Sequence, residues 1–295
     1  MGKKLLFVSL IISLLIWWPA VSADQEWEEI FTMWDAPEDA DGPGGYTMPT
    51  DQSFPRELPQ MLDLTGFRVF NTPDSVRFEF HFAEAPDLHQ PWEGEGFNFH
   101  RIDLYIVTGG RGSTETFRPG ARVEFDVPWQ YCLRLRDWEG SYLLHWQRHD
   151  PDDPRAGLWQ NQVQGFEVFV DGNMVVVEIN QTLLGAAKNN WKYYVLVGLQ
   201  DPHGPDHYRE VTSQGGAWTG GGGCDSQFNP NVYDVLAETA QEQYRQLKWD
   251  VGQLAVLIPV GPGGNGNILW SVLRIAGVAA LAAAAAIVLW ITVRK

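Results

Sequence analysis

The segment Asp35–Phe54 reads "DAPEDADGPGGYTMPTDQSF" and combines five acidic residues with three glycines. Carboxylate oxygens are the ligands that calcium prefers, and glycines allow the tight turns that bring such ligands together. Asp35, Asp39 and Asp41 are therefore candidate calcium ligands. The spacing is not that of an EF-hand loop. An acidic, solvated turn is the alternative, and the sequence leaves both open.

Tryptophan is the second residue type that could carry chemistry, and the chain has 14. Flat aromatic rings stack on the C–H faces of pyranoses, while neighbouring polar groups bond the hydroxyls. Trp92 and Trp159 lie in loop-like contexts, and Trp218 lies in a glycine-rich loop. We expect these three side chains to contact a sugar ligand. Each could instead pack in the core or between strands, which is the commoner use of tryptophan.

Motifs of familiar hydrolases are missing from the sequence, including H-E-x-x-H and G-x-S-x-G. Paired carboxylates could hydrolyse a glycosidic bond, but a chain with 37 acidic residues contains such pairs by chance. We therefore expect the protein not to be an enzyme.

The charge balance limits the partners. The 37 acidic residues outnumber 21 lysines and arginines, giving a net charge of −16. Such a surface repels nucleic acid and anionic lipid, so we expect no nucleic-acid partner.

The N-terminus has the features of an export signal. Lys3 and Lys4 precede an apolar stretch, Leu5–Trp18, and small residues end at Ala23. These features predict a signal peptide over residues 1–23, with an uncleaved anchor as the alternative. The protein should then be exported, where the two cysteines, Cys132 and Cys224, could form a disulfide if the geometry allows it.

The C-terminus is apolar for long enough to cross a bilayer. Ile275–Val293 contains 19 residues without a charge, and Arg294 and Lys295 follow. We predict a transmembrane helix over 269–293 and a cytoplasmic tail over 294–295. The alternative is an alanine-rich helix in a soluble core. A glycine-rich linker over 261–268 would join the helix to one large domain, 24–260, outside the cell.

Strand patterns dominate that domain. Ser75–Ala83 alternates apolar and polar residues, and His100–Thr108 does so too. Asp171-Gly172 between two alternating runs predicts a hairpin. About nine or ten such runs point to an all-β sandwich. Helices are expected only as a single turn at Gln181–Ala187 and over Asn231–Asp250.

Several ordered motifs resemble the C-terminal binding module of glucodextranase, a family of sandwiches similar to DOMON domains and to carbohydrate-binding module family 9. The resemblance runs from about Phe31 to Val260. The motifs that carry it are "GPGGYTMPTDQSF" (Gly42–Phe54), "LDLTGFRVFNTPDSVRFEFHF" (Leu62–Phe82), "GFNFHRIDLYIVTGGRGSTETFRPGARVEF" (Gly96–Phe125) and "GGCDSQFNPNVYDVLA" (Gly222–Ala237).

The resemblance implies a β-sandwich and a cell-surface role in binding polysaccharide or cell-wall glycan. Related modules use acidic residues near the first motif for structural calcium. Here Ala40 stands where the family pattern has a second aspartate, which puts the calcium in doubt, although Asp41 could substitute. We therefore expect a non-catalytic, membrane-anchored glycan-binding protein. The alternative is a structural envelope protein whose sandwich docks onto S-layer or other envelope proteins without binding sugar.

Overall fold

Alternation of apolar and polar side chains organises the strands. The run predicted at Ser75–Ala83 forms a strand over Ser75–Phe82. Its phenylalanines and Val76 are fully buried on one face. Burial of one complete face fixes the register, because a shift by one residue would turn every apolar side chain toward water.

The computed structural model describes residues 27–86, 99–136, 140–147 and 157–262. The expected signal peptide, transmembrane helix and cytoplasmic tail, most of the expected linker, and Trp92 lie outside these residues. Within the described ranges, no helix is both long and apolar enough to cross a membrane.

Fourteen strands and three short α-helices are described. The strands are β1 (Glu28–Trp34), β2 (Leu64–Asn71), β3 (Ser75–Phe82), β4 (His100–Val107), β5 (Ser113–Glu115), β6 (Val123–Trp129), β7 (Tyr131–Leu135), β8 (Tyr142–His145), β9 (Leu158–Trp159), β10 (Phe166–Asp171), β11 (Met174–Asn180), β12 (Lys192–Leu199), β13 (Asp234–Val235) and β14 (Ala255–Leu257). The helices are α1 (Leu58–Leu62), α2 (Gln181–Leu184) and α3 (Ala240–Gln246).

The strands form three sheets. The front sheet has the order β1-β2-β3-β11-β10, and the central sheet has the order β13-β12-β4-β7-β8-β9. The back sheet is β14-β6-β5, in which β14 and β6 are parallel. The other strand pairs described are antiparallel. The all-β prediction is confirmed, and the small back sheet adds a layer to the expected sandwich.

Both faces of the central sheet are buried. On β4, Ile102, Leu104 and Ile106 pack in the core shared with the front sheet. Tyr105 and Val107 pack in a second core shared with the back sheet. The sandwich therefore has two apolar layers, and its stability rests on their burial.

The local predictions had mixed outcomes. The hairpin is present, with Gly172 at φ +61° between β10 and β11, and α2 is the expected single turn. The helix expected over Asn231–Asp250 is wrong in its first half, where Val232 and Tyr233 are buried in extended backbone leading into β13. The helix begins only after Thr239, whose hydroxyl accepts a hydrogen bond from the Glu242 amide.

The disulfide that the sequence left open is not formed. Cys132 is a buried free thiol on β7, and Cys224 is a partly exposed free thiol in the loop before β13. Burial raises the pKa of the Cys132 thiol well above its usual range. Cys132 therefore behaves as a small apolar core residue.

The glycine run Gly220–Gly223 forms a tight contact between the long loop before β13 and the acidic segment after β1. Gly221 exchanges two backbone hydrogen bonds of 3.0 Å with Thr47. Gly222 has φ +85°, and a Cβ built there would lie 2.2 Å from the backbone oxygen of Gly45. The run thus fastens the long loop before β13 onto the acidic segment after β1.

We expect Gly222→Ala to lower the free energy of unfolding by about 2–3 kcal/mol, because a methyl group cannot fit against a backbone oxygen. Gly172→Ala is the matched control, since Gly172 also has positive φ but a Cβ there meets nothing within 4 Å. That variant should lose only about 1 kcal/mol. Equal losses of unfolding free energy for the two variants in urea would contradict the close contact between Gly222 and the Gly45 backbone.

Candidate functional site

Three buried aspartates meet where the edges of the front and central sheets adjoin. Asp39, Asp63 and Asp234 each offer a carboxylate oxygen, and these oxygens lie within 4.8 Å of one another. A fourth aspartate, Asp35, is also buried, and its charge acts on Asp234. We call these four residues the acidic cage.

Different parts of the chain supply the cage. Asp35 directly follows β1, and Asp63 lies between α1 and β2. Asp39 lies in the glycine-rich turn, where Glu38 adopts a left-handed φ of 65°. Asp234 is in β13, at the edge of the central sheet. The cage therefore joins segments about 170 to 200 residues apart in sequence.

One oxygen of each of three carboxylates is held by backbone amides. Asp35 Oδ1 accepts from the amides of Ala36 and Ala237, at 3.0 and 2.9 Å. Asp63 Oδ2 accepts from the Glu38 amide at 2.8 Å. Asp234 Oδ2 accepts from the Leu64 amide at 2.7 Å.

The other oxygens of the cage have no partner. Among the four cage residues, five buried carboxylate oxygens make no hydrogen bond: Asp35 Oδ2, Asp39 Oδ1, Asp39 Oδ2, Asp63 Oδ1 and Asp234 Oδ1. Buried polar atoms are nearly always hydrogen-bonded, because an unpaired buried acceptor costs free energy. Five such atoms in one place point to a ligand that they share.

Cationic side chains do not compensate the cage. Among the described residues, no arginine, lysine or histidine forms an ion pair with any of its four carboxylates. Asp103, on the other side of the central sheet, shows how a buried carboxylate is usually compensated. It is equally buried, but it accepts hydrogen bonds from Arg101, Arg134 and Tyr208.

The pKa values of the cage carboxyl groups are raised. Burial, together with the charges of Asp63 and Asp41, raises the pKa of Asp39 to about 7. Burial also raises the pKa of Asp63, and it raises the pKa values of Asp35 and Asp234 well above their usual range. Without a cation, the protein must therefore protonate part of the cage or bury charges that repel one another.

The donors fit a hard divalent cation. Calcium takes six to eight oxygen ligands at about 2.3–2.6 Å, so ligands on opposite sides of the ion are about 5 Å apart. The 4.8 Å limit on the separation of the cage oxygens agrees with this span. Carboxylates alone, without histidine or cysteine, suit calcium better than a transition metal.

The sequence identified part of this site. It singled out Asp35, Asp39 and Asp41, and the structure places Asp35 and Asp39 in the cage. Asp41 lies at its margin, where Asp41 Oδ2 accepts from the Gly45 amide at 3.0 Å. Asp63 and Asp234 were missed. Their signal was a lone aspartate between apolar neighbours, in "MLDL" and "VYDVL".

The tryptophans expected to bind a ligand are far less buried than the cage. The Trp218 side chain is 54% exposed and packs edge-on against Phe54, with ring centroids 5.6 Å apart. Trp159 ends β9, where its partly buried ring lies 4.6 Å from the Tyr142 ring. The rings of Trp159 and Trp218 do not contact each other, and Trp92 lies outside the described residues.

Trp34 is the most exposed tryptophan among the described residues, at 60%. It ends β1, immediately before Asp35 of the cage. Sequence reasoning missed it because the preceding run, "EEIFTM", carries no clear strand alternation.

The three sheets and two apolar layers define the class of protein as an all-β sandwich. The particular family follows from a family model described as the C-terminal, SLH-like binding module of glucodextranase, which matches residues 30–259. The chain belongs to this family. No curated protein matches the chain.

The cage predicts an unusual dependence of stability on pH in calcium-free protein. Asp39 has a folded pKa of about 7 and an ordinary value near 3.8, so between these values the folded state holds a proton that the unfolded state has released. The free energy of unfolding in EDTA should therefore fall as the pH rises from about 4 to 7. The slope is about 1.4 kcal/mol per pH unit for each extra proton held.

Urea unfolding in EDTA across this pH range measures the effect. Asp39→Asn should flatten the profile, whereas Asp171→Asn in the exposed hairpin should leave it unchanged. A stability that rises with pH in EDTA would mean that the cage carboxylates are compensated in another way.

Proposed function

We propose that the chain is a non-catalytic glycan-binding module, stabilised by calcium and displayed on the cell surface. The observation that carries the glycan part is the exposure of flat tryptophan rings, Trp34 at 60% and Trp218 at 54%, on a member of a binding-module family. Indole faces of this kind bind the C–H faces of pyranoses. The net charge of −16 favours a neutral glycan over an anionic one.

Calcium is the proposed occupant of the acidic cage. The partnerless oxygens of Asp35, Asp39, Asp63 and Asp234 would serve as its ligands. The ion would supply the positive charge that the cage lacks. Because unfolding would separate these residues, calcium binding would add directly to the stability of the fold.

Surface display rests on the sequence of the two ends. The apolar stretch before Ala23 has the features of a signal peptide, and Ile275–Val293 is long enough to span a bilayer. The domain would then lie outside the cell, where calcium is usually abundant enough to fill a site of modest affinity.

Binding to a defined panel tests the glycan proposal. The purified protein, with calcium, should be titrated with neutral hexasaccharides from α- and β-glucans and from chitin, and then with cell-wall polysaccharide. We expect saturable binding of at least one class and no release of shorter products. Absence of binding across the panel would overturn the glycan proposal and favour the envelope protein-docking alternative.

Calcium should raise the free energy of unfolding by about 2.7 kcal/mol when its concentration is 100 times its dissociation constant. Asp234→Asn should abolish this gain, because it removes a fully buried ligand. The same variant should make the EDTA-treated protein more stable than wild type, because a buried asparagine needs neither a proton nor a cation to neutralise it. Magnesium at equal concentration should stabilise the wild type less, since it demands a smaller, octahedral site.

Asp171→Asn is the matched control and should respond to calcium as the wild type does. A calcium response that survives Asp234→Asn would place the ion elsewhere. No response in the wild type would leave the cage as a set of protonated carboxyl groups.

A further inference from the structure

The Trp34 side chain lies against the backbone of the front sheet at Gly66. A Cβ built on Gly66 would lie 2.5 and 2.9 Å from two atoms of the Trp34 six-membered ring. Trp34 and Gly66 are directly paired between β1 and β2. The six-membered ring of the indole therefore contacts the glycine opposite it where no side chain intervenes, and most of the Trp34 side chain remains open to solvent.

His81 supports the ring from the side. It is paired with Gly66 on β3, and its ring meets the indole edge-on at a centroid distance of 5.4 Å and an angle of 70°. His81 Nε2 lies 3.5 Å from Glu79 Oε2. Gly66 and His81 together limit the orientations that the ring can adopt, which lowers the entropy lost when a ligand stacks on it.

The charged groups described beside the ring are ion-paired. Arg68 lies two residues from Gly66 on the same face of β2 and pairs with Glu29 at 2.7 Å and Glu79 at 3.6 Å. The Arg68 and Glu29 side chains are 31% and 49% exposed, so both can still bond a ligand. A face with an exposed aromatic platform and ion-paired side chains suits a neutral polyhydroxylated ligand, because hydroxyl groups can bond these side chains without bringing a charge of their own.

We propose that Trp34 is the platform on which a pyranose ring of a neutral glycan stacks, with Arg68 and Glu29 bonding hydroxyls of the next sugar. Gly66 and Arg68 are two residues apart on β2, which is a distance of about 7 Å along the strand. A sugar next to the one stacked on Trp34 would therefore lie within reach of the Arg68 and Glu29 side chains. This inference rests on the proposed glycan-binding function and gives it a location.

The acidic cage lies next to Trp34 and Gly66 and should hold these two residues in contact. Asp35 follows Trp34, and Asp63 lies three residues before Gly66. A hydrogen bond of 3.1 Å from the Asp35 amide to the Thr65 oxygen joins the two strand ends, at the bulge between Leu64 and Gly66. A cation that holds both carboxylates would therefore hold Trp34 over Gly66, so glycan affinity should depend on calcium.

The test uses the hexasaccharide of the panel that the wild-type protein binds best, measured by calorimetry. Trp34→Ala should weaken binding by roughly tenfold or more, since it removes the stacking surface. Trp34→Phe should restore part of the affinity. Trp249→Ala is the matched control, because Trp249 is a partly buried tryptophan that packs on the second core, away from the front sheet. It should bind like the wild type.

Gly66→Ala provides a second test that leaves the indole in place. The added methyl group must displace the ring from its seat, so affinity should fall although the tryptophan remains. Trp34 is exposed enough that Trp34→Ala should change the free energy of unfolding little, within about 0.5 kcal/mol. EDTA should weaken binding in the wild type at a temperature where the protein is still folded.

The outcomes separate this inference from the function on which it rests. Wild-type binding that survives both Trp34→Ala and Gly66→Ala would overturn the platform and leave the glycan-binding function standing, with Trp218 or Trp159 as the next residue to change. Binding that is lost in Trp34→Ala but is insensitive to EDTA would overturn the link to the cage. Absence of wild-type binding would overturn both the function and the platform.

Discussion

Mutual repulsion among buried carboxylates is the constraint on which this structure depends. Asp39, Asp63 and Asp234 converge with oxygens less than 5 Å apart, and Asp35 adds a further charge beside them. The idealised cost of moving a single carboxylate into a low-dielectric interior is many kcal/mol, and a cluster multiplies it. Such a cluster persists only if protons or a cation neutralise it. The rest of the local architecture agrees with a cation, because the backbone amides turn one oxygen of each of three carboxylates outward and leave the others facing the cage.

The cage also explains how the edge of the sandwich is closed. It connects the end of β1, the start of β2 and the short strand β13, which belong to two different sheets. Gln243 of α3 reinforces the junction, since its side chain donates to the Asp39 backbone carbonyl oxygen and accepts from the Val235 amide. The glycine run Gly220–Gly223 attaches the long loop before β13 to the same junction through the hydrogen bonds between Gly221 and Thr47. One ion at this junction would therefore stabilise contacts between distant segments, and those contacts position Trp34.

The buried network around Asp103 shows that the fold can neutralise carboxylates with its own side chains. Burial raises the pKa of Asp103 to about 6, although the Arg101 charge opposes the rise. Arg134 bridges Asp103 and Asp206, which fastens the loop after β12 to the central sheet. The two sites differ physically in the presence of arginine: the Asp103 network contains its own cationic partners, whereas among the described residues the acidic cage has none.

Sequence reasoning recovered the elements that local patterns encode. The alternation in β3 and the Asp171-Gly172 turn were sufficient to predict a strand and a hairpin. The segment Asn231–Asp250 misled because Val232 and Val235 have helical spacing, whereas burial against the sheets keeps that stretch extended. Half of the cage was predictable because Asp35 and Asp39 are close in sequence. Asp63 and Asp234 could not be found in this way, since only the topology brings them to the same place. Trp34 escaped notice because the run before it lacks a clear strand alternation, and its contact with Gly66 depends on the pairing of β1 with β2.

The most direct test is a crystal structure of the protein grown with calcium, with anomalous diffraction recorded to locate the ion. This account predicts one calcium peak in the acidic cage, about 2.3–2.6 Å from carboxylate oxygens of Asp39, Asp63 and Asp234, with Asp35 beside it. A cage that contains no ion, with its carboxyl groups hydrogen-bonded directly to one another, would contradict the account.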